Sequence, residues 1–471
     1  MKQKKLFSLI LGPVLFLGVL LLVPNSLFSF GARCAVGLVL WMGCWWITLP
    51  VAVGVTALLP IAINAIFDLV PMGTISGKYF SEIVILLLGA DLISLSWEKS
   101  GLDKRISLKA LCWIGPSLGQ QIAVWFLLSA ILSMFLPNAV VCAVMAPIAV
   151  SMLKFIGEGD ISNSKAGAII LASIAWGAGI GGLGSPLGGA MNLVAVDYFE
   201  KLTGKEYMYV DWMVRLVPML AVLLIVNLIY LFLIKPRKAF LNGTREYFRS
   251  MYRELPAMNR DEVIGLILFV AATGLAFVRP LYSDLLPVIK PAYVFLVFGM
   301  LTFILPKKEG GTLLSWKDAE KGVLWGLLFL FAGGLAVGTL ISDTGAADAI
   351  AQMVSRLPLN GGLPTIFIFV AFTVLLAEIS SNTAAAAIAT PVVVSITQGL
   401  GLDPIPYLYI TAAAFNCAYV LPTSIRAIPI GYGLSPKYLF RNGLVLTLLG
   451  IITITLAGWL MMTFWPAFSI A

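Results

Sequence analysis

Apolar residues run along this chain in long blocks separated by brief polar breaks. The blocks fall at about 7–24, 32–48, 51–69, 83–97, 121–152, 166–197, 212–234, 263–279, 291–305, 322–341, 363–396, 407–433 and 443–466. A helix crossing the hydrocarbon core needs about 20 apolar residues, so most blocks predict one transmembrane helix each. The longest polar interruption, Lys235 to Glu262, carries Lys235, Arg237, Lys238, Arg245, Arg249, Arg253 and Arg260. Lysine and arginine accumulate on the cytoplasmic side of membranes. The segment 235–262 therefore reads as a cytoplasmic linker between a first half, 1–234, and a second, 263–471.

The two halves align without a gap across more than 60 residues. At a constant offset of 244, Gly89 falls on Gly333, Gly101 on Gly345, Asn138 on Asn382, Pro147 on Pro391 and Ser151 on Ser395. Matched Asn, Pro and Gly landmarks predict an internal repeat. Charge then separates the repeats. Trp97 to Lys109 holds Lys99, Lys104, Arg105 and Lys109, whereas its counterpart Ile341 to Met353 holds no lysine or arginine. The first stretch thus faces the cytoplasm and the second the outside. The basic loop with Lys307, Lys308, Lys317 and Lys321, one crossing earlier, agrees. Two repeats of inverted topology are a device of alternating-access carriers, which bind substrate near the midplane. The chain reads as an all-α polytopic protein of the inner (plasma) membrane, N-terminus cytoplasmic and C-terminus outside.

Composition narrows the class further. The 471 residues are 60% hydrophobic and 11% charged, with a mean hydropathy of +0.98, against about 25% charged for a soluble domain. Soluble enzymes are excluded. The net charge of +8 belongs to cytoplasmic loops, and no basic cluster interleaved with aromatics offers a nucleic-acid platform. Histidine is absent, which removes imidazole metal sites and His-based triads. The odd set Cys34, Cys44, Cys112, Cys142 and Cys417 has no metal-like spacing and fits no disulfide framework. The basic start Met1 to Lys5 leads into a first transmembrane helix, since no small-x-small cleavage site follows.

Blocks 121–152 and 363–396 are too long for one helix and too short for two full spans. Each is broken centrally, by Pro137-Asn138 and by Ser380-Ser381-Asn382-Thr383. They read as re-entrant hairpins, whose freed backbone must be satisfied by protein, water or ligand. The restarted helix points free N–H groups and a positive dipole end at the membrane centre. Two such ends suit an anion with two negative groups. Each hairpin precedes an interrupted segment, Trp176-Gly177-Ala178-Gly179-Ile180-Gly181-Gly182-Leu183-Gly184-Ser185-Pro186 and Leu421-Pro422-Thr423-Ser424-Ile425-Arg426. Unwound carbonyls there coordinate cations and hydroxyls reach carboxylates. Gly177, Gly179 and Gly182 match GxGxxG but lie inside a span, where dinucleotide binding is not expected. Arg426 stands in an otherwise uncharged segment, and a buried arginine with a carboxylate-matching fork marks a functional cation. The competing role is structural, as a pair with Glu378 or by snorkelling. Asp91 is a second buried charge without a nameable partner, and Glu378 reads as a cap for the hairpin.

At these residues the chain resembles the divalent anion/sodium symporter family of carboxylate carriers. Ser381-Asn382-Thr383 followed by an alanine run and Pro391 is similar to its Ser-Asn-Thr hairpin signature. Trp46-Ile47-Thr48, Thr56-Ala57-Leu58-Leu59-Pro60, Trp97-Glu98-Lys99-Ser100-Gly101-Leu102-Asp103-Lys104-Arg105 and Ser315-Trp316-Lys317-Asp318-Ala319-Glu320 are similar too. The resemblance implies eleven transmembrane helices plus two re-entrant hairpins, a homodimer, and an elevator in which a transport domain slides against a scaffold. It implies di- and tricarboxylate substrates of the succinate, malate, 2-oxoglutarate and citrate class. Substrate-binding residues are then Asn138, Ala139, Ser185, Pro186, Ser381, Asn382, Thr383, Pro422, Thr423, Ser424 and Arg426.

The departures from that pattern are specific. The first Ser-Asn-Thr is here Pro137-Asn138-Ala139, and Ala377 stands at a hydroxyl position four residues before Ser381. The second turn usually has a Thr-Pro-Pro-Asn core and here reads Thr423-Ser424-Ile425-Arg426; the first turn continues as far as Met191-Asn192. Sodium sites near Ser133, Pro137, Asn138 and Gly184, and near Ala377, Ser381 and Asn382, therefore read as degenerate, with Arg426 supplying a fixed positive charge instead. The expectation is a sodium-independent carboxylate/carboxylate exchanger without cofactor or metal. Sodium-coupled symport is the competing reading, since backbone carbonyls bind sodium without the lost hydroxyls. Gly157-Glu158-Gly159-Asp160 fits the GxGD of intramembrane aspartyl proteases, but it lies in a polar loop, and no second aspartate sits in a matching context.

Overall fold

The computed structural model describes residues 2–158, 160–236, 241–308, 310–354, 359–421 and 424–470. The fold is helical. In chain order the main helices are α1 (Lys2–Leu22), α2 (Phe30–Thr48), α3 (Glu82–Ser100), α4 (Leu118–Ser133), α5 (Asn138–Phe155), α6 (Lys165–Gly181), α7 (Ala190–Thr203) and α8 (Tyr209–Ile234). After the linker come α9 (Arg260–Phe277), α10 (Pro291–Leu301), α11 (Trp325–Asp343), α12 (Leu363–Ile379), α13 (Asn382–Gly399), α14 (Pro404–Phe415) and α15 (Pro436–Phe464). Among the described residues, 8 helical stretches are long and apolar enough to cross a membrane.

Both long blocks fold as hairpins. The first turns between α4 and α5 at Met134–Pro137; the second turns between α12 and α13 at Ser380 and Ser381. Proline explains the first break, because it locks φ and pushes the residue before it out of the α region. The block at 166–197 is interrupted at Gly182–Gly189, and that at 407–433 unwinds after Phe415. The block at 51–69 departs from one continuous helix, splitting into Val53–Thr56 and Leu59–Phe67 with Pro60 in the first turn of the latter. A proline is tolerated there because that N–H has no intrahelical partner.

The linker contains a helix that its charge density conceals, Thr244–Glu254. Its Thr244 and Phe248 are buried, and the Phe248 ring meets Trp125 of α4 edge-on at 5.9 Å. The linker helix is thus fastened to α4 of the first hairpin.

Two apolar cores divide the molecule. The larger joins α4 to α8 with α12 to α15 and includes Trp125, Trp176, Trp212 and Phe415. The smaller joins α1, α2 and α11 and includes Phe16, Leu38, Trp46 and Leu340. Helix α3 serves both, with Ile93 and Trp97 in the first and Leu92 and Leu95 in the second. Helix α13 also divides its faces: Ala385 and Ala386 look to the large core, Ala384 and Ala387 to the small one. Close approach is built into these contacts. A Cβ at Gly334 would lie 2.6 Å from Ala387 Cβ, and a Cβ at Gly181 would lie 2.3 Å from Ala130 O. Small residues let helix backbones meet where lipid supplies no hydrophobic drive.

Candidate functional site

The two hairpin tips meet at a cavity of about 140 Å³. Pro137, Asn138 and Ala139 line it from the first tip, and Asn382 and Thr383 from the second. Leu187 and Gly189 to Met191 close it from the first broken segment, Ile425 from the second, and Asp91, Phe295 and Leu324 from the opposite wall.

Each tip begins a helix, and the two are capped differently. Ser381 caps α13 by accepting the Ala384 N–H at 3.1 Å, whereas Pro137 at the start of α5 offers no side-chain cap. The first-turn N–H groups of both helices are the donors a carboxylate oxygen would take. The asparagines also differ. Asn138 Oδ1 lies 2.8 Å from Ser133 Oγ, and its Nδ2 donates to Gly179 O at 3.4 Å. Asn382 Oδ1 is buried and accepts no hydrogen bond from the described residues. An orphan acceptor in a water-poor site is costly, so the second tip is ready for a donor that a ligand would bring.

Behind the first tip is a surplus of oxygen. Ser133 Oγ sits 2.8 Å from Asn138 Oδ1 and 2.7 Å from Ala178 O, and its single proton satisfies one of these acceptors. Gly184 is buried beside Met134, where a Cβ would meet Met134 Cε at 2.5 Å. Ser185 caps its own turn: its Oγ donates to Met134 O and accepts from Leu187 N. Ser185 and Pro186 are buried outside the cavity lining.

Behind the second tip is a charged clamp. Glu378 Oε1 accepts from Tyr419 N and Thr447 Oγ1, each at 2.6 Å, and Oε2 accepts from Val420 N at 2.9 Å and Leu421 N at 3.4 Å. Arg426, 1% exposed, donates from Nε to Leu421 O at 2.7 Å and from Nη1 to Ala418 O at 3.0 Å. The carboxylate thus holds the amides of the unwound turn and the guanidinium holds its carbonyls. Arg426 stands one residue behind the lining position Ile425 and does not itself line the cavity. Ala377, fully buried, adds no hydroxyl. Pro422 and Thr423, and the Ser424 side chain, lie outside the described residues.

The pairing of two asparagines was not evident from sequence. Asn192 Nδ2 donates to Gly182 O at 2.7 Å and Ser185 O at 2.8 Å, and Asn416 Nδ2 donates to Asn192 Oδ1 at 2.9 Å. This pair ties the two broken segments together. Asp91 accepts a long 3.4 Å bond from Leu324 N. Among the described lining residues Asp91 is the one ionisable side chain. An adjoining cavity of about 340 Å³ shares Asp91, Ser94, Pro137, Ala139 and Leu324 and adds Glu98 and Asp103. Asp160 lies exposed in a loop, its Oδ2 accepting from Asn163 Nδ2 at 2.7 Å, outside any helix.

A bundle of membrane-length helices whose two hairpin tips and two broken segments converge on one cavity defines a transporter. The chain belongs to the citrate transporter family, whose model matches residues 38–414, in agreement with its divalent anion/sodium symporter motifs. Its relatives include the sodium-dependent dicarboxylate transporter SdcS of Staphylococcus saprophyticus, 29% identical, covering 96% of this chain and 90% of the relative. The protein of the same name from Staphylococcus aureus NCTC 8325 is 28% identical, covering 98% of this chain and 93% of the relative. The crystal structure of the Alcanivorax borkumensis YdaH transporter shares the fold at a TM-score of 0.53 and 14% identity, over 84% of this chain and 88% of that one.

Proposed function

We propose that this protein carries small di- and tricarboxylates across the membrane and couples them to sodium. Support for the substrate class is the pairing of two helix N-termini across one cavity, with Asn382 Oδ1 unpartnered between them. One carboxylate takes the α5 amides, the other the α13 amides, and a substrate hydroxyl reaches Asn382. The expected binding set is Asn138, Ala139, Asn382 and Thr383 at the cavity, with Ser185, Pro186, Ser381 and Arg426 holding the turns behind it. Pro422, Thr423 and Ser424 belong to the expected set on the sequence reading alone.

Sodium coupling is supported by the sodium-dependent relatives and by the oxygen surplus of Ser133, Asn138 and Ala178. A hard cation collects such oxygens, and a sodium ion there brings positive charge to the first tip. The exchanger expectation thus yields to symport as the better-supported reading. Sodium-independent exchange keeps one observation in its favour. The Arg426 guanidinium already occupies the carbonyls of Ala418 and Leu421, so the second turn carries its own cation.

The division into two cores supports an elevator movement. The large core, carrying both hairpins, is the transport domain, and the small core is the scaffold of a homodimer. The alanine face of α13 against Gly334 is the smooth surface along which an elevator slides. Counterflow into proteoliposomes with C4, C5 and C6 carboxylates as competitors, with and without sodium, tests the proposal. Competition confined to dicarboxylates and tricarboxylates supports it; equal competition by acetate would reject the two-tip site.

A further inference from the structure

A second cavity, of about 610 Å³, lies on the face of the molecule where α8 ends and α6 and α15 begin. Three cations line it: Lys165 from the start of α6, and Lys437 and Arg441 from the start of α15. All three are exposed, and none forms an ion pair with a carboxylate among the described residues. Ser162, Ser164 and Ser435 add hydroxyls, and Tyr230 and Tyr438 add phenols. Its lining holds no acidic residue among those described; the nearby Asp160 is taken up by Asn163.

The site has the layout of an amphiphile's binding groove. Tyr230 donates to Asn442 Oδ1 at 3.1 Å and bridges α8 to α15 at the cavity floor. Beyond the cations both helices present exposed apolar residues along their length. Ile229 and Ile225 of α8 are 54% and 56% exposed, and Leu444 and Leu448 of α15 are 47% and 55% exposed. Tyrosines mark the level of the membrane interface, and basic pockets between helices take phosphate head groups. The α6 and α15 N-termini add positive dipole ends at the same place.

We propose that this cavity binds the head-group phosphate of an anionic phospholipid in the leaflet on the linker's side, its acyl chains lying on the exposed apolar faces of α8 and α15. The cations answer the phosphate and the exposed isoleucines and leucines answer the chains, so a free anion uses only half of the site. Both helices belong to the large core, so the lipid would travel with the hairpins.

Native mass spectrometry of the purified protein, supplied with phosphatidylglycerol or phosphatidylcholine, tests this. Retention of phosphatidylglycerol is expected to exceed that of phosphatidylcholine at least fivefold. Lys165→Gln/Lys437→Gln/Arg441→Gln is expected to abolish the difference, and Lys317→Gln on another face to preserve it. Should the triple variant fold poorly, Lys437→Glu alone is expected to cut the preference by half or more. Millimolar inorganic phosphate or glycerol phosphate is expected not to displace the lipid. Equal retention of the two lipids, full preference in the triple variant or in Lys437→Glu, or displacement by free phosphate would each overturn the proposal, the last assigning the site to a soluble anion.

Discussion

Replacing Glu378 by glutamine keeps the side chain's shape and removes its charge. Its four named donors are the amides of Tyr419, Val420 and Leu421 and the Thr447 hydroxyl. Whichever way the glutamine amide faces, its NH₂ group meets donors, and at least one backbone N–H loses its acceptor. A buried donor left unpaired costs about 1–3 kcal/mol. Arg426 also loses the charge that compensates it, and breaking one side of a buried pair costs about 3–5 kcal/mol. Glu378→Gln should therefore lower stability by about 3–5 kcal/mol, a large share of a typical reserve of about 5–15 kcal/mol. Arg426→Met should cost a similar amount, since the carbonyls of Ala418 and Leu421 lose their donors. In the double variant the second loss falls on a turn already open, so the combined cost should fall short of the sum by about 0.5–3 kcal/mol. Unfolding of lipid-nanodisc samples followed by tryptophan fluorescence, for the wild type, both single variants and the double variant, gives the cycle. Strict additivity, or an unchanged Glu378→Gln, would refute the clamp.

Three further outcomes follow from the cavity. Asn382→Ala removes the orphan acceptor while leaving the Ser381 cap in place, so the KM for a hydroxylated dicarboxylate such as malate should rise about tenfold and its rise for succinate should be smaller. Asp91→Asn removes the one carboxylate among the described cavity-lining residues, so the KM for dianions should fall severalfold; a rise would mean that Asp91 binds a cation the substrate needs. Gly181→Val forces a side chain into Ala130 O, and transport should fall below a tenth of wild type with the protein still in the membrane; normal transport would mean that α4 and α6 do not hold this spacing.

Much of this arrangement was legible in the chain because the signals were local. Pro137 and the polar run from Ser380 to Thr383 mark the hairpin tips within a residue or two, since apolar blocks in lipid tolerate polar interruption only where protein covers it. Features set by contacts between distant segments were hidden. Glu378 read as a cap for its own hairpin, but it holds the amides of Tyr419 to Leu421 about 40 residues away in sequence. Arg426 was legible as a buried cation, yet nothing in its neighbours disclosed that it donates to the carbonyls of Ala418 and Leu421. Ser185 drew attention by its hydroxyl, whereas the wall of the cavity falls to Leu187 and Gly189 to Met191, whose contribution is backbone shape. The linker helix escaped because the seven basic residues of the linker, three of them in the helix itself, outweigh the two buried positions Thr244 and Phe248.

The coupling ion decides the account most directly. Proteoliposomes free of internal carboxylate, given labelled succinate outside with and without an inward sodium gradient, should accumulate succinate only with sodium, and Ser133→Ala should weaken the sodium dependence. Uptake that ignores sodium and requires internal carboxylate would contradict symport and make Arg426 the permanent substitute for the ion.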